Sequence, residues 1–308
     1  MNADADVLSK IKHASEQDRQ CRVVPDFSDI DPGLPFVPEV FTQLYHTSAY
    51  DLLNPEQKLR YNQLFGLRSN ELFMVFEKGV TRQVIHQLKN ARQESDPLLA
   101  DCLEGMLVEE SRHHAMFLDF NRRFLPEGYS NKGRCFTRDS RLEMGVLLTR
   151  AKRPGLQPLL LWAVLVLEEF STAYSRKLVS AETKLPGSLE PSYRRLHALH
   201  LQDEQRHVQL DSVLIRELMK NGNPLQRGMN AQLFRFFFRQ VLNPRHSGPR
   251  VIRYLVTEYP ELNRHLADML RAVRKLGMDP GLQNIMNDSG QMPVTHALLA
   301  EYPGFRWY

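Results

Sequence analysis

Nowhere in the 308 residues do 18 apolar residues run together without a charge, so the sequence offers no membrane-spanning helix. The opening MNADADVLSKIKHASEQDRQ alternates charges and lacks the apolar core of a signal peptide, which predicts a cytoplasmic chain. Cysteine is scarce: Cys21, Cys102 and Cys135 form no CxxC and are odd in number, as expected of reduced thiols. Alternating β-branched residues are nearly missing, which argues against a sheet. No glycine-rich fingerprint for a nicotinamide or flavin occurs. Excess charge is lacking too. The 40 basic and 36 acidic residues leave a net +4 spread along the chain, so no nucleic-acid partner is expected. With 42% hydrophobic residues, the chain is too apolar for disorder.

What is present is helical spacing. After the proline-rich lead-in PDFSDIDPGLPFVPEV, expected to wrap a core, apolar residues recur at helical intervals from Glu56 to about Asn90. Ser95-Asp96-Pro97 signals a new helix start, and that helix should reach about Phe124. A short helix is expected around Arg138 to Ala151. The longest apolar stretch, Leu156–Leu167, opens another helix and is followed at once by Glu168 and Glu169. A further long helix should run from about Ser192 to Met219, with three or four more beyond Leu225. The expected fold is therefore all-α and a single domain over 1–308. It divides into a wrapping segment (1–55), a bundle (56–220) and C-terminal helices (221–308). The aromatic run Leu233–Phe238 fits core or the face of a homodimer.

Two segments share the pattern acid-Glu-x-Arg-His: Glu109-Glu110-Ser111-Arg112-His113 and Asp203-Glu204-Gln205-Arg206-His207. In each, Glu and His at i and i+3 lie on one helix face, about 5–6 Å apart at Cβ, and are expected to bind one metal ion together. Two such helices, with one glutamate from each of two others, make the ligand set of dinuclear carboxylate bundles. Glu77, in the apolar context Leu72–Phe76, lies 33 residues before Glu110. Glu168 and Glu169 lie 36 and 35 residues before Glu204, and their 100° separation on a helix leaves the choice between them open. Burying such acids unpaired is costly, and coordination removes that cost. His197, His200, Glu204, His207 and Asp211 continue as one stripe, with Asp211 placed to accept the second imidazole N–H of His207. The pairs Glu109 with Arg112 and Asp203 with Arg206 read as surface salt bridges. His86, His114 and His197 read as structural or exposed.

The set Glu77, Glu110-x-x-His113, Glu168 or Glu169, and His200-x-x-x-Glu204-x-x-His207 resembles the ligands of the di-iron arylamine N-oxygenases, typified by the p-aminobenzoate N-oxygenase. The resemblance covers about residues 60 to 215. It implies a ferritin-like four-helix core with added N-terminal and C-terminal helices, and two iron ions held by three histidines and four carboxylates. Manganese suits the same donors. It also implies O2 as co-substrate, an external electron donor, and oxidation of an amine to hydroxylamine, nitroso or nitro products in secondary metabolism. Two alternatives share the metal set: an oxygenase acting on C–H or C–C bonds, and a non-enzymatic iron-binding bundle. Phe73, Val80, Phe117, Leu165, Thr172 and Leu201 are the expected pocket lining, and Arg250, Arg253 and Arg271 are expected at the surface.

Overall fold

The computed structural model describes residues 3–21, 25–130, 133–137, 154–184, 187–241, 247–276 and 280–307. Among them every regular element is helical. Helix α1 (Ala3–Cys21) buries Leu8, Ile11 and Ser15, one narrow stripe laid against the helical residues 97–124 and 191–221. The segment from Pro25 to Leu53 carries short 3₁₀ turns and straps the next helix. The Phe36 and Val37 amides donate to Asn62 Oδ1, at 2.9 and 3.1 Å.

Helix α2 (Pro55–Phe76) starts in a capping box: Asn54 and Gln57 exchange side-chain-to-backbone hydrogen bonds, and Pro55 fills the first turn. A π turn (Glu77–Thr81) separates α2 from α3 (Arg82–Arg92), so the unbroken helix expected from Glu56 to Asn90 is interrupted at its acidic residue. Asp96 accepts from the Leu99 amide (3.1 Å) to cap α4 (Pro97–Phe124), and α5 (Pro126–Tyr129) closes that arm. The helix expected around 138–151 lies outside the described residues. Helix α6 (Gln157–Lys184) is buried without a break from Leu159 to Val166, and each such Leu or Val side chain contributes about 1.5–3 kcal/mol by leaving water. The Glu190 carboxylate accepts from the Tyr193 amide and caps α7 (Pro191–Asn221).

Helix α6 pairs with α7, while α2 and α3 pair with α4; contacts of α4 with α7, and of the π turn with α6, close the bundle. Outside it lie α8 (Pro224–Val241) on α6, α9 (Ser247–Glu258) on α2, α10 (Leu266–Leu276) on α9, α11 (Pro280–Met286) on α6, and α12 (Pro293–Glu301) on α6 and α7. Among the described residues no helix is long and apolar enough to cross a membrane.

Candidate metal centre

Each of the four bundle arms brings a carboxylate inward. Glu77 comes from the π turn, Glu110 with His113 from α4, Glu168 from α6, and His200, Glu204 and His207 from α7. All seven are at most 4% exposed. They form two groups whose donor atoms lie within 4.8 Å of one another: Glu77, His113, His200 and Glu204, then Glu110, Glu168, Glu204 and His207. Glu204 is common to both. Its Oε1 lies 3.2 Å from His113 Nδ1, 3.2 Å from His200 Nε2 and 3.3 Å from His207 Nδ1. His200 Nε2 is also 3.2 Å from Glu77 Oε1, and His207 Nδ1 is 3.0 Å from Glu110 Oε1. The expectation that each Glu-x-x-His serves a single ion fails for the first motif, whose Glu110 and His113 fall into different groups, whereas Glu204 and His207 share one. Neighbours on one face lie one turn apart along the helix, so they reach successive positions along a centre that runs with α4.

Glu169 leaves the cluster. Its carboxylate accepts from the Val294 and Thr295 amides (2.8 and 2.6 Å) and so caps α12. The 100° between neighbouring helix positions sends Glu168 inward and Glu169 to the C-terminal layer.

The acid–Arg pairs are not at the surface: Asp203 and Arg206 do pair within α7, but Arg112 crosses to Asp203 and Arg206 also crosses to Glu109. Glu109 and Asp203 are 2% and 0% exposed. His113 Nε2 donates to Asp203 Oδ2 (2.8 Å), and His207 Nε2 donates to Glu109 Oε2 (2.9 Å). Arg112 reaches across to Asp203 (2.6 Å), while Arg206 bridges Glu109 (2.9 Å), Asp203 and, through α1, Asp18 (2.8 Å). Ser15 on α1 donates to Glu109 Oε1 at 2.8 Å. Each outer carboxylate thereby fixes the ring of a histidine on the opposite helix with Nδ1 inward, the usual way a ligating imidazole is oriented. Asp211, expected to take the second N–H of His207, does not: Glu109 holds it, and both Asp211 oxygens are buried with no hydrogen-bond partner. His197 is buried, with Ser175 Oγ at 3.1 Å and Asn70 Oδ1 at 3.2 Å, and Ser175 Oγ also lies 3.3 Å from His200 Nδ1. His86 is exposed and His114 half-buried. Local i, i+3 spacing hid the crossed pairing. The acid that precedes Glu in both motifs was the one signal for it.

Burial and opposite charges contend throughout the centre. Burial alone would lower His113, but hydrogen bonds to Asp203 and Glu204 lift it to about 10. Burial would raise Glu109, yet the His207 hydrogen bond and charge, with Arg206, bring it down to about 2. Glu110 is pushed up to about 7, first by burial and then by Glu77 and Glu204 against the pull of His207. Glu77 Oε2, both Glu110 oxygens, Glu204 Oε1, His113 Nδ1 and His207 Nδ1 are buried without a hydrogen bond. Such a set of orphaned oxygen and nitrogen donors fits hard or borderline cations such as iron or manganese.

A slot leads to the centre between α2 and α6. Its walls are mostly apolar and aromatic, with Phe65, Leu72, Phe73, Phe76, Phe170 and Tyr174 prominent; α11 contributes Ile285 and Met286, and Arg68, Ser69 and Ser171 are polar members of the lining. It ends on Glu77 and Glu168, one carboxylate from each group. Of the expected lining only Phe73 is found there. Val80, Phe117, Leu165 and Thr172 are packed in the interior. Arg250 donates to the Thr137 carbonyl (2.7 Å), Arg253 is exposed and Arg271 pairs with Asp268 (3.2 Å), so none reaches the slot.

No curated protein matches the chain. A family model does, over residues 4–281, and its description is "P-aminobenzoate N-oxygenase AurF". Enzymes of that family depend on two irons and O2. The helical bundle and its two carboxylate–histidine groups accord with that match, and this chain belongs to the p-aminobenzoate N-oxygenase AurF family of di-iron enzymes.

Proposed function

We propose that Glu77, His113, His200 and Glu204 hold one iron and that Glu110, Glu168, Glu204 and His207 hold the other, for N-oxygenation of an arylamine lying in the slot. The observation that carries the reading is the end of the slot. An aromatic-lined passage closes on one carboxylate from each group, so a planar ring between Phe73, Phe76, Phe170 and Tyr174 presents its amino group to both ligand sets at once. Two irons bound there supply the electrons that reduce O2 and activate an oxygen atom for transfer to nitrogen. The chain's own residues do the rest. The aromatic walls exclude water and favour a flat apolar ring. Glu109 and Asp203 keep the outer N–H of His207 and His113 donated outward, so each Nδ1 lone pair faces inward. Ser175, beside His200 Nδ1, acts likewise for the third imidazole. The setting is a reducing cytoplasm and the pathway one of secondary metabolism. Electrons come from an external donor.

Iron-loaded, chemically reduced protein is mixed with O2 and a panel of para-substituted anilines and aliphatic amines, and products are read by mass spectrometry. Hydroxylamine, nitroso or nitro arenes carrying oxygen from labelled O2 are expected, with aliphatic amines unreacted. Iron oxidation with no N-oxygenated product across the panel refutes the reading and leaves an iron-binding bundle.

A further inference from the structure

Half of the large apolar side chains left exposed among the described residues lie on one line of one helix. Leu225, Met229, Leu233 and Phe236 on α8 are 84%, 47%, 40% and 68% exposed. Their steps of four, four and three keep them within one narrow strip of the helix surface. The opposite face is the ordinary one: Asn230, Ala231, Phe234 and Phe238 are buried against the body of the protein. The exposed line is therefore a seam added to an already satisfied amphipathic helix, left uncovered among the described residues.

Charge and size indicate its occupant. Helix α8 carries Arg227, Arg235 and Arg239 and no acidic residue. Helical register places positions 235 and 239 along one edge of the seam. Arg227 lies on the far face, where it donates to the Met219 carbonyl (3.0 Å). Two copies packed seam to seam would therefore set four arginines, those at positions 235 and 239, against one another with no carboxylate from these helices, whereas an acidic surface is complementary. The seam spans roughly 17 Å by the ~10 Å width of a helix. A footprint of that size falls well short of the ~800 Å² per partner of a lasting interface and suits the small, transient contacts of electron carriers.

The position indicates what such a carrier is for. Helix α8 packs on α6, the helix that supplies Glu168. Beneath the seam, the Phe234 ring lies 6.0 Å from that of Trp162 on α6 and 5.0 Å from that of Phe238. Trp162 precedes Glu168 by six residues, about 9 Å along the helix. The seam thus lies one helix layer from the candidate metal centre, with ring contacts from Phe238 through Phe234 to Trp162 and the backbone of α6 from there to Glu168.

We propose that the exposed face of α8 docks a small acidic protein carrying a one-electron centre. This rests on the di-iron reading above. Each docking passes one electron from the reduced carrier to one Fe(III), giving Fe(II) and oxidised carrier with no bond made or broken. Two dockings reduce the pair.

The test uses the full-length iron-loaded chain and an acidic [2Fe–2S] ferredoxin as the probe. Affinity is measured by calorimetry at two salt concentrations, and reduction of the ferric protein is followed by stopped flow. Methyl viologen radical serves as a reductant that needs no docking. Phe236→Glu and Leu233→Glu change exposed positions and Arg235→Glu a half-buried one at the edge, and their folding is checked by circular dichroism. Each is expected to weaken ferredoxin binding at least tenfold and slow ferredoxin-driven reduction by a similar factor, with viologen-driven reduction unchanged. Binding to the parent chain should fall with added salt. Ferredoxin that fails to bind the parent, or binds all variants equally, overturns the proposal. So does a parent dimer that Phe236→Glu splits, which gives the seam to a second copy, and so does anionic-vesicle binding lost in Phe236→Glu, which gives it to a membrane. Viologen-reduced parent that N-oxygenates no arylamine is a different failure, that of the functional reading itself.

Discussion

Glu204 Oε1 lies among three imidazole nitrogens, and that single atom sets a hierarchy among the carboxylates. Glu204→Ala removes a donor from both groups, whereas Glu110→Ala removes one from the Glu168 group alone. Iron per chain after reconstitution, by elemental analysis, should fall close to zero for the first and to about half the parent value for the second. Equal losses would contradict the division of Glu110 and His113 between two ions. Glu109 and His113 respond to pH. The Glu109 carboxyl, held at about 2, stabilises the metal-free fold above its ordinary value near 4.5, and that contribution fades as pH falls towards 2. His113, lifted to about 10, stabilises it below the ordinary 6.5 and loses this as pH rises towards 10. Thermal melts of chelator-treated protein should therefore show Glu109→Gln less stable than the parent at pH 5–6, with the gap closing between pH 4.5 and 2. A gap independent of pH would place the Glu109 contribution in packing. Iron affinity of the same variant should drop about 10–100-fold, the usual cost of removing an imidazole's outer partner. The inward residues were legible because carboxylates and imidazoles recur at helical spacing in apolar surroundings. The choice of Glu168 over Glu169 was not, because it is made by α12 amides 125 residues later in the chain. The crossing of Arg112 and Arg206 was equally hidden, since each has an acid at i−3 that satisfies the local pattern.

At the scale of the element, the π turn at Glu77–Thr81 separates two helices with different obligations. Phe65, Leu72, Phe73 and Phe76 of α2 face the slot, while Val84, Ile85 and Leu88 of α3 are buried in the packing of α3 on α4. One extra residue per turn lets both faces be satisfied, and it leaves Glu77 at the junction, a common placement for such turns. Deleting Gly79 removes that residue and rotates α2 against α3 by about 100°. Because α3 is anchored by its buried face, Glu77 should swing away from His200. The deletion variant is expected to keep helical circular dichroism and the Glu110–Glu168–His207 group but to bind about one iron fewer per chain. Full iron content would show that Glu77 is not held by the turn. In the sequence this break had no proline and no polar run to announce it. The apolar spacing continues across it, and Gly79 is the one marked helix breaker in the turn, so a single helix was the natural reading. The caps were plainer: Asn54-Pro55 and Asp96-Pro97 each put a side-chain acceptor before a proline, and both start helices where expected.

Across the whole molecule the centre is enclosed from both ends of the chain. Glu169 holds α12 against α6 from the C-terminal side, and α11 walls the slot. From the N-terminal side α1 covers the outer carboxylates, with Ser15 donating to Glu109 and Asp18 pairing with Arg206. Helix α1 escaped sequence reading because its three buried residues among those described give almost no apolar periodicity; tertiary pairing, not propensity, holds it in place. Its role has a measurable consequence. Removing residues 1–22 strips Leu8 and Ile11 from the core, a loss of roughly 3–6 kcal/mol as an upper bound, and opens Glu109 and Arg206 to water. Water screens the attraction of Arg206 for Glu109 and competes for the carboxylate that orients His207. The truncated chain should therefore fold with reduced stability and still take up two irons, because no inward residue lies on α1. It should release the ion held by His207 several-fold faster to a competing chelator than the ion held by His113, since Asp203 keeps Arg112 as a partner. Hydrogen exchange should rise in α4 and α7 around residues 106–113 and 203–210, and little in α2. Biphasic chelation with the faster phase absent from the full-length chain would establish α1 as the cover of one half of the centre; identical single-phase release in both chains would reduce it to a packing element.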